Sequence, residues 1–275
     1  MDVMQPFSVL LSLYHKEKPE FLRAALDSVF HQTVRPDEVV LVEDGPLTDE
    51  LNAVVMEYAE RYAALKVIRF AENRGLGRAL NDGLKHCSYD LVARMDTDDV
   101  AKSHRFECQL KMFEEIPNLD VCGAWMDEFE GEPENVVSVK KLPETHEELY
   151  EYGKMRNPVN HPAVMFRKEA VQLNGNYQDY PLFEDYFLWV RMLTYGCKFY
   201  CIQESLVLFR SSSEMIKRRG GFRYAQTECR LQFLLYGLRY TNFLELCKSI
   251  MIRFVVRVIP GGLRKWIYKR IRKRK

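Results

Sequence analysis

Apolar residues recur along the first hundred positions in two alternating rhythms. Short unbroken runs rich in Val and Leu alternate with stretches in which apolar residues return every three or four places. Phe7–Tyr14 (FSVLLSLY) is such a run and predicts a buried strand. Pro19 then opens a helix with Phe21, Leu22, Ala25, Leu26, Val29 and Phe30 on one face. Glu38–Glu43 (EVVLVE) predicts a second strand, closed by the turn residues Asp44, Gly45 and Pro46. A helix over Thr48–Tyr62, a strand over Leu65–Phe70, a helix over Gly75–His86 and a strand over Asp90–Met95 follow. Strands and helices alternating at this spacing form β-α-β units on a parallel sheet.

Beyond residue 115 the rhythm is less regular. Leu119–Met126 and Val136–Lys140 predict strands on either side of a polar turn at Glu128–Glu134. Glu144–Tyr152 predicts a helix, and Asn157–Arg167 (NPVNHPAVMFR) a loop running into a strand. Phe183–Tyr195 is an amphipathic helix. Near the far end, apolar residues at 243, 246, 247, 250, 251, 254, 255, 258 and 259 define a helix over Phe243–Ile259, with Lys248, Arg253 and Arg257 off the stripe. Pro260-Gly261-Gly262 breaks it. No internal repeat or low-complexity linker appears, and no apolar run approaches the length of a membrane span. The opening MDVMQPFSVLLSLYH has no basic leader and reads as a strand, not a signal peptide.

Composition narrows the class. The 275 residues are 47% apolar and 29% charged, which excludes disordered, collagen-like and disulfide-scaffold chains. The net charge of +1 hides an asymmetry. Residues 264–275 (RKWIYKRIRKRK) hold 8 of the 40 Lys and Arg and none of the 39 acids, leaving 32 bases against 39 acids in the rest. An acidic body with a basic tail argues against a nucleic-acid partner. Basic residues interleaved with Trp266, Ile267, Tyr268 and Ile271 suit an anionic membrane surface and make peripheral contact through residues 243–275 the expectation, against the competing readings of a stripe packed on the domain core and of a nucleic-acid- or partner-binding tail. The seven cysteines form no CxxC pair and read as free thiols in a reducing cytoplasm.

The chemistry gathers where strands end. Tyr14, Asp44, Asn73 and Asp96 each follow a predicted strand, and ligands of open parallel sheets bind outside those carboxyl ends. Asp96, Asp98 and Asp99 put three carboxylates into four residues, an arrangement that repels itself unless a cation such as Mg²⁺ or Mn²⁺ sits there. The competing reading is an acidic turn capping the next helix. Asn73-Arg74-Gly75-Leu76-Gly77 resembles the start of a dinucleotide fingerprint, but Leu80 stands where the third glycine belongs. Glu184 and Asp185 open an apolar helix; helix capping explains one of them, and a carboxylate in a partly apolar pocket could act as a general base. His161 could be a ligand or base, or an ordinary loop or core residue. There is no GxSxG elbow and no GxxxxGK phosphate loop.

These residues, taken in order, resemble the family-2 inverting glycosyltransferases. The resemblance rests on Ser8–Tyr14 (SVLLSLY), Gln32-Thr33, Pro36-Asp37-Glu38 and Val42–Gly45 (VEDG). Asn73-x-Gly75, Ala79-x-Asn81-x-Gly83, Asp96-Thr97-Asp98-Asp99 and Glu184-Asp185-Tyr186-x-Leu188-Trp189 continue it. It covers about residues 6–210 and is nearest to bacterial exopolysaccharide enzymes of the amylovoran-biosynthesis type, in which an Arg218-Arg219-Gly220-Gly221 element recurs. It implies an α/β fold of the GT-A, nucleotide-diphospho-sugar type, with a mainly parallel central sheet. Residues 1–210 would be the catalytic domain, with a nucleotide-binding half over about 1–100 and an acceptor half over about 101–210. Residues 211–275 would form a helical, basic C-terminal extension.

It also implies roles. Tyr14, Asp44, Asn73, Arg78 and Asp96 would surround the nucleotide. Asp98, with Asp96 and Asp99, would hold Mn²⁺ or Mg²⁺. Asp185, and less readily Glu184, would deprotonate the acceptor. His161, Arg218 and Arg219 are candidate diphosphate or acceptor contacts. The QxxRW signature of processive relatives is absent, which implies single additions. The expected substrates are a nucleotide sugar, with UDP-sugars favoured, and a saccharide or lipid-linked saccharide acceptor, used at the inner face of the cytoplasmic membrane. Two other readings remain open: a dinucleotide-dependent oxidoreductase, and a degenerate transferase that binds nucleotide or membrane without catalysis.

Overall fold

A computed structural model describes residues 5–211 and 221–258. β1 (Phe7–Leu13), β2 (Glu38–Glu43), β3 (Leu65–Arg69) and β4 (Leu91–Arg94) pair in parallel in the order β3-β2-β1-β4. β1 is covered on both faces. Its Leu10 packs with Val40, Val42 and Leu80, while Phe7, Val9, Leu11 and Leu13 pack with Leu22, Leu26 and Val54 on the other side. That double burial is why the strand reads as a continuous apolar run.

The helices follow from local signals. α1 (Pro19–Phe30) starts at its proline and buries Leu22, Ala25, Leu26, Val29 and Phe30. α2 (Asp49–Arg61) is capped by Thr48, whose side chain accepts from the Leu51 N–H at 3.3 Å. α3 (Leu76–His86) lies so close to the sheet that a Cβ on Gly83 would stand 2.6 Å from Val42 Cγ2 and 2.8 Å from Leu10 Cδ1. Only glycine permits that approach.

The second half is a mixed continuation. After β5 (Val100–Ala101) come α4 (Arg105–Glu115), β6 (Leu119–Phe129), β7 (Val136–Lys140) and α5 (His146–Gly153). A 3₁₀ turn at His161–Ala163, β8 (Met165–Arg167), α6 (Lys168–Leu173), α7 (Glu184–Thr194) and β9 (Lys198–Arg210) follow. The strand order runs on from β4 as β8-β6-β9-β5, with β7 beside β6. β8 is antiparallel to β4 and β6, whereas β6 and β9 are parallel and pair across nearly eighty residues with three register shifts. The parallel sheet predicted for the first hundred residues is present, and the later strands make the sheet mixed.

Two helices close the described chain, Phe222–Gly237 and Phe243–Val258. The first was not expected from the sequence, nor were α4, α6 or β9. The second differs from the predicted stripe. It turns Leu246, Ser249 and Arg253 inward and leaves Phe243, Leu244, Cys247, Met251 and Ile252 exposed. Arg253, expected off the buried face, is buried because its Nη2 donates to the Met155 carbonyl at 2.5 Å and Glu228 lies 3.3 Å from its Nε. Among the described residues no helix is long and apolar enough to cross a membrane. The basic segment 264–275, the Pro260-Gly261-Gly262 break and the Arg218-Arg219 pair lie outside the described residues.

Candidate active site

The ends of β2 and β3 are tied together by one carboxylate. Asp44, just beyond β2, accepts from the Arg74 N–H at 2.7 Å and the Gly75 N–H at 3.0 Å. Its carbonyl accepts from Asn73 Nδ2 at 3.0 Å. The neighbouring Gly45 has φ +88°, and a Cβ there would meet the Asn73 nitrogen at 2.6 Å. Asp44 and Asn73 therefore sit side by side, as the strand-end reading anticipates. Tyr14 is half-buried at the end of β1, its ring 5.8 Å from that of His15. Arg78, in the first turn of α3, is exposed and paired with Asp179 at 2.6 Å.

β4 delivers the acidic cluster. Carboxylate oxygens of Asp96, Asp98 and Asp99 lie within 4.8 Å of one another. Asp98 is held well above the usual carboxylate range by burial first, then by the Asp96 and Glu17 charges. Asp99 is fully buried and raised further by burial and by its two neighbours. One of its oxygens accepts from the Arg210 N–H at 2.8 Å, and Oδ2 has no partner among the described residues. Three carboxylates this close in a poorly solvated place destabilise one another's ionised forms. An all-oxygen donor set with an orphaned buried oxygen fits a hard divalent cation such as Mg²⁺ or Mn²⁺.

Three groups around this cluster were not anticipated. Arg94 is fully buried, pairs with Asp96 Oδ1 at 2.5 Å and donates to the Leu10 carbonyl at 3.2 Å. Arg210 ends β9 with its guanidinium 3.8 Å from the Phe21 ring centre and 4.6 Å from that of Phe129. From there Nε donates to the Asp98 carbonyl at 3.0 Å and Nη1 to the Gly131 carbonyl at 2.8 Å. Glu17, whose acidity burial weakens, accepts from Thr97 Oγ1 at 3.1 Å and adds a fourth carboxylate. A charged residue inside the apolar run DLVARM is the one sequence signal that marks Arg94. Glu17 and Arg210 carry no comparable signal.

The N-terminus of α7 supplies the remaining acids. Asp185 accepts from Asn157 Nδ2 at 2.6 Å and from the Tyr186 N–H at 2.7 Å. Glu184 is buried, its Oε2 has no partner among the described residues, and its pKa is pushed up to about 7 by burial and then by the Asp185 charge. Tyr177 is buried beside them, and burial above all raises its pKa, with the charges of Asp185, Asp96 and Glu184 adding to the rise and Arg94 opposing it. Its hydroxyl is 3.0 Å from His161 Nε2. His161 is packed against the Tyr177 and Trp189 rings, and burial lowers its basicity far below the usual imidazole range. The structure thus places the His161 imidazole inside the core, beside Tyr177 and Trp189.

Residues 8–172 match the family model described as Glycosyl transferase family 2. The UDP-Gal:alpha-D-GlcNAc-diphosphoundecaprenol beta-1,3-galactosyltransferase of Escherichia coli is 40% identical over 273 residues, covering 99% of this chain and 98% of that relative. The amylovoran biosynthesis glycosyltransferase AmsE of Erwinia amylovora is 38% identical, covering 97% of this chain and 99% of the relative. Among solved structures, S. aureus TarS 1–349 in complex with UDP-GlcNAc matches with a TM-score of 0.65 at 17% identity, over 92% of this chain and 72% of that one. The mannosyltransferase PcManGT from Pyrobaculum calidifontis, in complex with GDP-Man and Mn²⁺, matches with a TM-score of 0.60 at 14% identity, over 98% of this chain and 81% of that one. At these identities the structural likeness establishes the GT-A type fold.

Proposed function

The chain belongs to glycosyl transferase family 2, and on that footing we propose that it moves one hexose, with inversion, from a UDP-sugar to a lipid-diphosphate-linked saccharide. It is a nucleotide-sugar-dependent glycosyltransferase. The Escherichia coli relative's name gives UDP-Gal as donor and GlcNAc on diphosphoundecaprenol as acceptor, so UDP-galactose is the first donor to try. The observation that carries the reading is a pair of acidic groups, the Asp96-Asp98-Asp99 cluster beyond β4 and Glu184-Asp185 at the start of α7, the latter packed on α3 so closely that a Cβ on Gly77 would stand 3.3 Å from Glu184 Cβ. An inverting transfer needs a base on one side of the sugar and neutralised charge on the other.

In this reading Tyr14, Asp44, Asn73 and Arg78 bind the nucleotide at the strand ends. Asp44 already uses one lone pair on each oxygen for the Arg74 and Gly75 amides, so a base N–H would take a second lone pair of the same carboxylate. Asp96 and Asp98, backed by Asp99, hold Mn²⁺ or Mg²⁺. Bound there, the ion would offset charge on the departing diphosphate as a Lewis acid. Arg94 orients Asp96, and Arg210 holds the Asp98 carbonyl through its side chain and the Asp99 carboxylate through its backbone N–H. Asp185, aimed by Asn157, takes the proton from the acceptor hydroxyl. The hydroxyl oxygen then bonds to the anomeric carbon as the carbon–oxygen bond to the diphosphate breaks. Arg218 and Arg219 are proposed to add contacts to the diphosphate or acceptor. The exposed Phe243, Leu244, Met251 and Ile252 and the basic residues of 264–275 are proposed to seat the enzyme on an anionic membrane.

The test is UDP release from UDP-galactose with a synthetic GlcNAc-diphospho-lipid, with and without Mn²⁺. Asp185→Asn should lower kcat by about 10²- to 10⁴-fold while UDP affinity is unchanged. Asp98→Ala should abolish the metal-dependent part of UDP binding. Wild-type turnover by Asp185→Asn would remove it as the base, and binding of NAD without any nucleoside diphosphate would overturn the donor class.

A further inference from the structure

Two clusters of three side chains among the described residues have metal-ligating atoms within 4.8 Å of one another, and the second, His104, Cys108 and Glu204, shares no residue with the acidic site. Its origin lies in the register of β5 and β9. Val100 stands opposite Leu208 and Ala101 opposite Val207 in an antiparallel pair, and the Lys102 N–H extends the pairing to the Leu206 carbonyl at 2.9 Å. Two places further along the same register, His104 falls opposite Glu204, and Nε2 is 2.7 Å from Oε1. His104 is also the residue from which α4 starts, and its carbonyl accepts from the Cys108 N–H at 3.1 Å. One helical turn therefore stacks the thiol above the imidazole.

A His-Glu pair alone is an ordinary surface ion pair of little consequence. The third member changes the chemistry. Nitrogen, sulfur and carboxylate oxygen together are the donor set of zinc, unlike the all-oxygen triad beyond β4. Tetrahedral zinc needs ligand atoms about 3.3–3.7 Å apart, given bonds near 2.0 Å to N and O and 2.3 Å to S. The His104–Glu204 pair must therefore open from 2.7 Å, and any ligand pair nearer the 4.8 Å limit must close; both side chains are partly exposed and can rotate to do so. Glu107 adds a further negative charge beside Cys108.

We propose that His104, Cys108 and Glu204 form a zinc-class site with one position open to water, separate from the hard-cation site at Asp96, Asp98 and Asp99. A metal there cross-links α4 to β9. β9 continues to Arg210, which grips Asp98 and Asp99, and β5 begins directly after Asp99. The site thus staples the two segments that frame the acidic cluster.

The test uses the full chain with reduced thiols, Zn²⁺ in competition with a chromophoric chelator, and Co²⁺ as an optical reporter. Wild type and Asp98→Ala should each bind one equivalent with a thiolate-to-cobalt charge-transfer band and tetrahedral visible bands. Cys108→Ser should lose the band, and His104→Gln should bind at least about tenfold more weakly. Zn²⁺ should raise the melting temperature of wild type but not of Cys108→Ser. Absence of the band in wild type, or its persistence in Cys108→Ser, would overturn the proposal. The Asp98→Ala control keeps its failure distinct from failure of the transferase reading.

Discussion

Glu184 and Asp185 are adjacent in sequence but have different environments. Asp185 accepts from Asn157 Nδ2 and the Tyr186 N–H, whereas Glu184 is buried with one oxygen unpartnered among the described residues. Burial raises the Glu184 pKa from 4.5 to about 7, so the folded chain holds this proton more tightly than the unfolded chain. Its contribution to stability is fully present below about pH 4.5 and is lost as pH rises through about 7. Glu184→Gln removes that loss. Between pH 5.5 and 8.5 the wild type should lose about 1–3 kcal/mol more than the variant in denaturant unfolding of the metal-free protein. Glu17, Asp98 and Asp99 titrate in the same sense in both proteins, so the difference between them isolates Glu184. Equal slopes would show that the carboxylate is solvated in the folded state.

At the scale of elements, the junction between the β2 and β3 ends governs the nucleotide side. Gly45→Ala places a Cβ against the Asn73 nitrogen at a backbone angle that L residues avoid, and it must push the β3-α3 turn away from Asp44. It should cost at least about 2 kcal/mol in urea unfolding and weaken UDP binding, whereas a wild-type UDP affinity would detach Asp44 from the base site. The same elements explain what the sequence revealed. β1, β2 and β4 are buried runs and β3 is a half-exposed edge strand, all flanked by helices with apolar stripes, so hydropathy locates them, and their ends bring Asp44, Asn73 and Asp96 into view. α4 escaped because its buried face carries Arg105 and Gln109, which are stabilised there by donating to the carbonyls of Arg94, Val164, Cys122 and Ala163. The Phe222–Gly237 helix inverts the pattern further, burying Glu228 and Gln232 while exposing Phe222 and Phe233. β9 and Arg210 depend on pairing with β6 across nearly eighty residues, which no local pattern encodes. Arg94 and Arg210 reach the site through such tertiary placement, so their roles had to await the fold.

For the whole molecule, the charge asymmetry and the C-terminal helices bear on where the reaction happens. A body with more acids than bases is repelled by an anionic leaflet, so attraction must come from the eight cations of residues 264–275. Each is worth about 1 kcal/mol near such a surface, a contribution that salt screens. The exposed Phe243 and Leu244 add apolar contact on the last described helix. That helix also braces the active site: Arg253 holds the Met155 carbonyl just beyond α5, and Tyr186, next to Asp185, donates to the Gly153 carbonyl at the end of α5 at 2.7 Å. If the C-terminus seats on a membrane as proposed, it would set the height of Asp185 above the lipid through two packed elements. Full-length chain should co-sediment with anionic vesicles, release in high salt and ignore zwitterionic vesicles, and deletion of 260–275 should abolish sedimentation. With acceptor presented in vesicles, the deletion should raise the apparent KM and leave kcat unchanged, while a short-chain acceptor in free solution should be used as well as by wild type. A deletion that sediments normally would leave the tail without this role. A fall in kcat on the short-chain acceptor would show that the tail completes the active site itself, because only a membrane-targeting segment loses its value once the substrate leaves the bilayer.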